Sequence, residues 1–217
     1  WACLTACQLT AFREWAMLYT MSSSEINTRE RILHATWQLM EQHLGKVIKM
    51  SDVAKAAGIS RQAVYLHFKS RTELIVATSQ YVDNLKGLGE RLIPFKQAKT
   101  ATEQLEACVN IWGNYIPEII GIAKALMAAK DSDEAMAAAW NGNMGYVRDI
   151  CAQTISALHD EGLLASKWSK ESATDIFWTT LSINNWEQLT RECGWSTPQY
   201  VQRITGLLKN TLLPSKI

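Results

Sequence analysis

The chain has 217 residues, 47% of them hydrophobic and 20% charged, and is nearly neutral at a formal net charge of +1. This is the composition of a globular protein with one or two compact units and a sizeable core, and no apolar run approaches the roughly 18–20 residues needed to span a bilayer. The five cysteines, at positions 3, 7, 108, 151 and 193, are odd in number and scattered, which fits reduced thiols in the cytoplasm better than a disulfide framework. Cys3 and Cys7 stand four apart with no His or Cys pair nearby to complete a metal site, and Cys108, Cys151 and Cys193 are expected to be packed core thiols.

Residues 1–20 begin with Trp, mix Trp, Cys and Leu, and lack the basic segment that opens a secretory signal. They are read as a non-native or upstream-translated extension ahead of a start at Met21, and no function is given to them. A first helix is expected from Asn27 to Gly45, with Asn27 and Glu30 at capping-box spacing, Ile32, Leu33, Thr36, Leu39 and Met40 forming its stripe, and Gly45 ending it.

The stretch from Ser51 to Lys69 reads as two short helices joined by a glycine turn, a helix-turn-helix. Ser51 is expected to cap the first, with Asp52 in its first turn and the small residues Ala54, Ala56 and Ala57 allowing close contact. Gly58 falls where the chain must turn, and Ser60 is placed to cap the second helix. That helix has an apolar side in Val64, Tyr65 and Phe68 and a polar end in Arg61 and Gln62, residue types that match base edges. Ser70-Arg-Thr-Glu73 then has the spacing of another capping box, opening a fourth helix onto Leu74, Ile75 and Ala77.

These residues resemble the tetracycline-repressor (TetR) family of one-component bacterial regulators. The matching pieces are Arg31-Ile-Leu-His-Ala35, Met50-Ser-Asp-Val-Ala54, Ala57-Gly-Ile-Ser60 and, most specifically, Tyr65-Leu-His-Phe-Lys-Ser-Arg-Thr-Glu-Leu74, which looks like the family's Tyr-x-x-Phe-x-x-Lys-x-x-Leu signature with Arg71 in place of the usual Lys. The resemblance covers about the first quarter of the chain. It implies that the last two helices pair with their twins in a dimeric four-helix bundle. Charge supports the DNA reading on its own: residues 27–75 hold eight Lys/Arg against four Asp/Glu, a net of +4, whereas residues 76–217 hold 13 against 15, a net of −2.

Arg61, Gln62 and Ala63, in the first turn of the second helix, are the expected base readers: Arg for guanine, Gln for adenine, Ala for a thymine methyl. Ser51, Tyr65, His67, Lys69 and Arg71, with Thr28 and Arg29 from the start of the first helix, are expected on phosphates. A short reader contacts few base pairs, so a two-fold dimer on a palindromic double-stranded operator is expected.

Beyond residue 76 no alternating pattern, repeat or low-complexity tract interrupts the helical periodicity. One apolar stripe runs through Leu105, Cys108, Val109, Trp112 and Ile116, and another through Ile119, Ile122, Ala123, Leu126 and Met127. Asp131-Ser-Asp-Glu134 is a cap site for a long helix stopping near Gly162; further helices run from Ser169 to Gly194 and onward from Ser196-Thr-Pro198. The fold expected is therefore all-α with about nine helices: a three-helix DNA-binding domain over residues 21–75 and a helical ligand-binding and dimerisation domain over 76–217.

Six of the nine tryptophans lie in this second part. Rings at helical spacing are ordinarily core, but as a group these favour an apolar or aromatic small-molecule effector. Trp112, Tyr115, Trp140, Met144, Trp178 and Asn185 are the expected pocket wall, with Met127, Tyr146 and Asn184 as further contacts. Effector binding would move the fourth helix, right behind the reader, and respace the two DNA readers, acting as a release switch for a repressor.

An enzyme is the competing class, and the sequence has no glycine phosphate loop, zinc-protease motif or nucleophile elbow. Its one dense ionisable cluster, His159-Asp-Glu161, precedes Gly162 and reads as a solvated helix end. No catalytic residues, cofactor or metal are expected. A ligand-independent architectural DNA-binding protein is the other alternative, marked by salt-sensitive binding to all sequences alike.

Overall fold

The computed structural model describes residues 27–43 and 46–214, and every regular element among them is helical. Helix α1 covers residues 27–42 and is followed by α2 (Met50–Ala57), α3 (Arg61–His67) and α4 (Arg71–Leu85). Two single-turn helices, α5 (Leu88–Arg91) and α6 (Ile93–Gln97), lead into the two long ones, α7 (Ala101–Ala129) and α8 (Glu134–Asp160). Then come α9 (Lys170–Thr180), the short α10 (Ile183–Glu187) with a π-helical turn at Gln188–Glu192, and α11 (Thr197–Leu212).

Local chemistry sets most of these boundaries. Ser60, Ser70, Thr100, Asp133, Ser169, Ser182 and Ser196 each cap a helix by accepting a backbone N–H, and at Ser196 the reciprocal bond from Gln199 completes a capping box. Gly58 takes the left-handed conformation, φ 68°, that the α2–α3 turn requires.

Several expected details differ. Helix α2 starts two residues earlier than expected: Lys49 takes the N-cap position without a side-chain bond, Met50 is buried, and Ser51 lies inside the first turn with its hydroxyl on Asp52. Asn27 is already helical, and Gly45, like Met21 and residues 1–20, lies outside the described residues. Ser70 accepts from the N–H of Glu73, but the Glu73 carboxylate reaches past it to the N–H of Lys69, so the box is only half formed. The two apolar stripes of residues 105–127 belong to one helix, α7, which continues through Pro117 because it is buried on both sides of it. The segment from Ser169 to Gly194 is broken at Leu181–Ser182, where Ser182 caps a new helix. Cys108 and Cys151 are buried, but Cys193 is exposed.

Apolar side chains gather in two cores. One is built from α1–α4, including Ile32, Met40, Val53, Val64, Phe68 and Ile75, and extends to Ile122, Leu126 and Ala129 of α7 and Met136 of α8. The other lies among α7, α8, α9 and α11, around Leu105, Cys151, Phe177, Tyr200 and Leu208. Helix α4 therefore carries the DNA-reading unit at one end and packs on the second domain at the other.

Candidate nucleic-acid interface and ligand cavity

The second helix of the helix-turn-helix, α3, buries Val64 against α1 and α2 while Phe68, immediately after its last turn, is wholly inside. The opposite side is free. Arg61 and Gln62 are exposed, Ala63 is half-buried behind the Ser60 cap, and Tyr65 is exposed. Arg61 lies along Tyr65, its guanidinium 3.4 Å from the phenol oxygen and 5.5 Å from the ring centre, so the pair forms one amphipathic surface. Leu66 is 86% exposed on the same helix, an apolar side chain that sequence patterning missed; its signal was a leucine outside the Val64–Phe68 stripe.

The expected phosphate ligands differ in their surroundings. Ser51 and Lys69 are exposed, His67 and Thr28 are half-buried, and Arg29 is exposed with its guanidinium 4.9 Å above the Phe68 ring, which fixes it beside the end of α3. Arg71 is different. Its guanidinium makes a bidentate pair with Asp133, at 2.5 and 2.7 Å, so any phosphate contact would be shared with a carboxylate of the second domain. Asp133 is itself the cap of α8, accepting from the N–H groups of Ala135 and Met136. Burial alone would raise its pKa, but the Arg71 bond and those two N–H groups outweigh it and hold the carboxyl below its usual range.

Behind α3, helix α4 forms one wall of a cavity of about 480 Å³ closed by α7 and α8. Trp112, Tyr115, Trp140, Met144 and Tyr146 line it, as do Asp83 from α4 and Lys96 from α6. A second cavity of about 350 Å³ shares Trp112, Trp140, Met144 and Ile183 with the first and adds Met127, Trp178 and Asn184. Five of the six residues expected in the pocket wall thus face one cavity or the other. Asn185 faces neither: its side-chain amide donates to the Thr179 carbonyl at 2.7 Å, bracing the break between α9 and α10.

Inside the larger cavity the Tyr115 hydroxyl donates to Asp83 at 2.5 Å. Burial pushes the Asp83 carboxyl up, the Tyr115 bond opposing it; burial and Asp83 together push the Tyr115 phenol far above its ordinary range, so it stays a donor. Trp112 packs edge-on to Tyr115 with ring centres 5.8 Å apart, and Asn143 of α8 donates to Ser79 of α4 at 2.7 Å across the cavity wall. Asp83 had no motif to announce it, only its place on the α4 face that carries Val76 and Ser79.

Among the described residues no cluster of three or more His, Cys, Asp or Glu can hold a metal, and no helix is long and apolar enough to cross a membrane. The pattern of the family described as "Bacterial regulatory proteins, tetR family" matches residues 32–78. No curated protein matches the chain. Solved structures share its fold at low identity. The fatty acid degradation regulator FadR from Bacillus halodurans is 17% identical, with 83% of this chain and 93% of that one covered at a TM-score of 0.65. FadR from Bacillus subtilis, in complex with stearoyl-CoA, is 14% identical over 82% and 96% at 0.66. NalD from Pseudomonas aeruginosa, the secondary repressor of the MexAB-OprM multidrug efflux pump, is 17% identical over 88% and 100% at 0.68.

Proposed function

We propose that the chain, whose residues 32–78 match the tetR-family pattern, is a ligand-responsive repressor that binds a palindromic operator as a homodimer and lets go when a small molecule fills the cavity between α4, α7 and α8. The observation that carries this reading is that one helix serves both sites: α4 starts three residues after the last buried residue of the DNA reader, Phe68, and supplies Val76, Ser79 and Asp83 to the cavity. A ligand that fits only when α4 is displaced has different affinities for the two positions of α4, and only such a difference can shift the reader. The named neighbours agree: one holds an acyl-CoA and another represses an efflux pump.

In the DNA-binding half, Arg61 and Gln62 read base edges with Ala63 and Leu66 against thymine methyls, while Lys69, Tyr65, His67, Ser51, Arg29 and Thr28 hold phosphates. The exposed apolar residues on α9 and α11, Ile176 and Leu207, form the face that meets a second copy. Selection from random DNA tests the central claim. The parent should return a two-fold symmetric consensus, and Arg61→Ala should lose preference at one position per half-site at a cost of about 1–3 kcal/mol. Uniform, purely salt-dependent binding to every sequence would instead identify an architectural protein.

A further inference from the structure

Building on the reading of the α4–α7–α8 cavity as the effector site, we propose that this cavity takes an organic cation: a quaternary ammonium or protonated amine with apolar or aromatic substituents, seated against Asp83.

The other buried or half-buried carboxylates of this protein have cationic partners: Asp133 is paired with Arg71 and Glu187 with Lys124 at 2.7 Å. Asp83, on the cavity wall, has no cationic partner within 4.0 Å among the described residues. Arg91 lies close by, its guanidinium 5.5 Å from the centre of the Tyr115 ring, yet its ion pair is with Glu118. Lys96 also borders the cavity, but it is an exposed side chain of α6 and makes no ion pair. Tyr115 supplies one hydrogen bond, to Oδ1, and Oδ2 receives none from the described residues. The result is a half-buried carboxylate with one oxygen unbonded and no cation within ion-pair distance among the described residues.

Such a group is costly to keep ionised unless something positive completes it. The surroundings suit a positive ligand that is also apolar. Tyr115, Tyr146, Trp112 and Trp140 present ring faces and edges to the same space, and a cation near such rings gains from their quadrupoles. A neutral ligand of the same shape would complete the removal of Asp83 from water without replacing the lost solvation, and an anion would add repulsion. Tyr115 orients the carboxylate, since its strongly held proton keeps one oxygen engaged and leaves the other for the ligand.

Phenyltrimethylammonium and tert-butylbenzene have the same shape and differ in charge, and 4-tert-butylbenzoate supplies the anion. Each is titrated into the full-length protein by calorimetry and tryptophan fluorescence, and operator affinity is followed by anisotropy on the DNA recovered by selection. The cation should bind at least about tenfold more tightly than its neutral isostere, and Asp83→Asn should remove that preference while leaving the neutral compound's affinity unchanged. Tyr146→Ala, at a half-exposed position where refolding is not at stake, should weaken the cation alone by about two- to fivefold. Equal affinity for cation and isostere, tighter binding of the anion, a preference that survives Asp83→Asn, or no binding by any of the three overturns the proposal. The DNA arm separates it from the repressor reading: Asp83-dependent cation binding with unmoved operator affinity keeps the cation site and sinks the effector role, whereas operator release by the neutral compound alone does the reverse.

Discussion

Arg71 and Asp133 show how much one residue pair can decide. They are 62 positions apart, one at the start of the helix that follows the DNA reader and the other capping α8, and the bidentate geometry joins the two by their first turns. Replacing Arg71 by Ala would strand a buried carboxylate that keeps only its backbone donors. We expect a loss of about 1–3 kcal/mol in thermal or urea unfolding, the partial exposure of Arg71 tempering the larger value seen for fully buried pairs. The pH dependence has a definite sign. The Asp133 carboxyl is held below its unfolded value, so its contribution is complete above the ordinary carboxylate range and lost as pH falls through the depressed folded value. The deficit of Arg71→Ala should therefore shrink on acidification. Asp83 runs the other way. Its folded pKa is raised, so its ionisation lowers stability as pH climbs through that value, and Asp83→Asn should raise the melting temperature at neutral pH but not in acid. Melting curves of the two variants from neutral to about pH 3 that ran parallel to the parent's would contradict both assignments.

Among the elements, the crossing of α7 and α11 is a close contact that a single substitution can probe. A methyl group on Gly113 would stand 2.6 Å from Cγ2 of the half-buried Val201 and 3.2 Å from the fully buried Tyr200 ring. Gly113→Ala should destabilise by about 1–3 kcal/mol despite alanine's higher helix propensity, whereas Gly145→Ala on α8, with nothing within 4 Å, should stabilise by about 0.5–1 kcal/mol. A denaturation experiment in which both changed stability in the same direction would refute the close approach. The contrast also marks what could be read from sequence. Caps at Ser60, Asp133 and Ser196, the Gly58 turn and helix α3 are legible in the sequence because each depends on residues within four positions of one another. The features that local spacing does not reach depend on distance: the Asp83–Tyr115 bond links residues 32 apart, and Met50, the first residue of α2, packs in a core that extends to α7 and α8. The aromatic wall was found as a composition, but Asn185 was drawn away from it by a local bond to Thr179 that its own spacing did not announce.

For the whole molecule, the proposed repressor makes association and DNA release parts of one equilibrium. Leu207 is 53% and Ile176 40% exposed on α11 and α9, and on the proposed dimer Leu207→Glu should shift sedimentation toward monomer and weaken operator binding together. If the variant stayed dimeric at micromolar concentration, the partner surface would have to lie elsewhere. Effector and operator should also antagonise each other by equal factors, which a pair of titrations in either order can check. The first core ignores the boundary at residue 75: Ile122, Leu126, Ala129 and Met136 of the long helices close over Ile32, Val64 and Ile75. The DNA reader is thus not a bead on a string but part of a foldon anchored in α7 and α8. Its amides should exchange with deuterium only through openings that also disturb those helices, so a compound seated in the cavity would slow exchange in α2 and α3 without touching either.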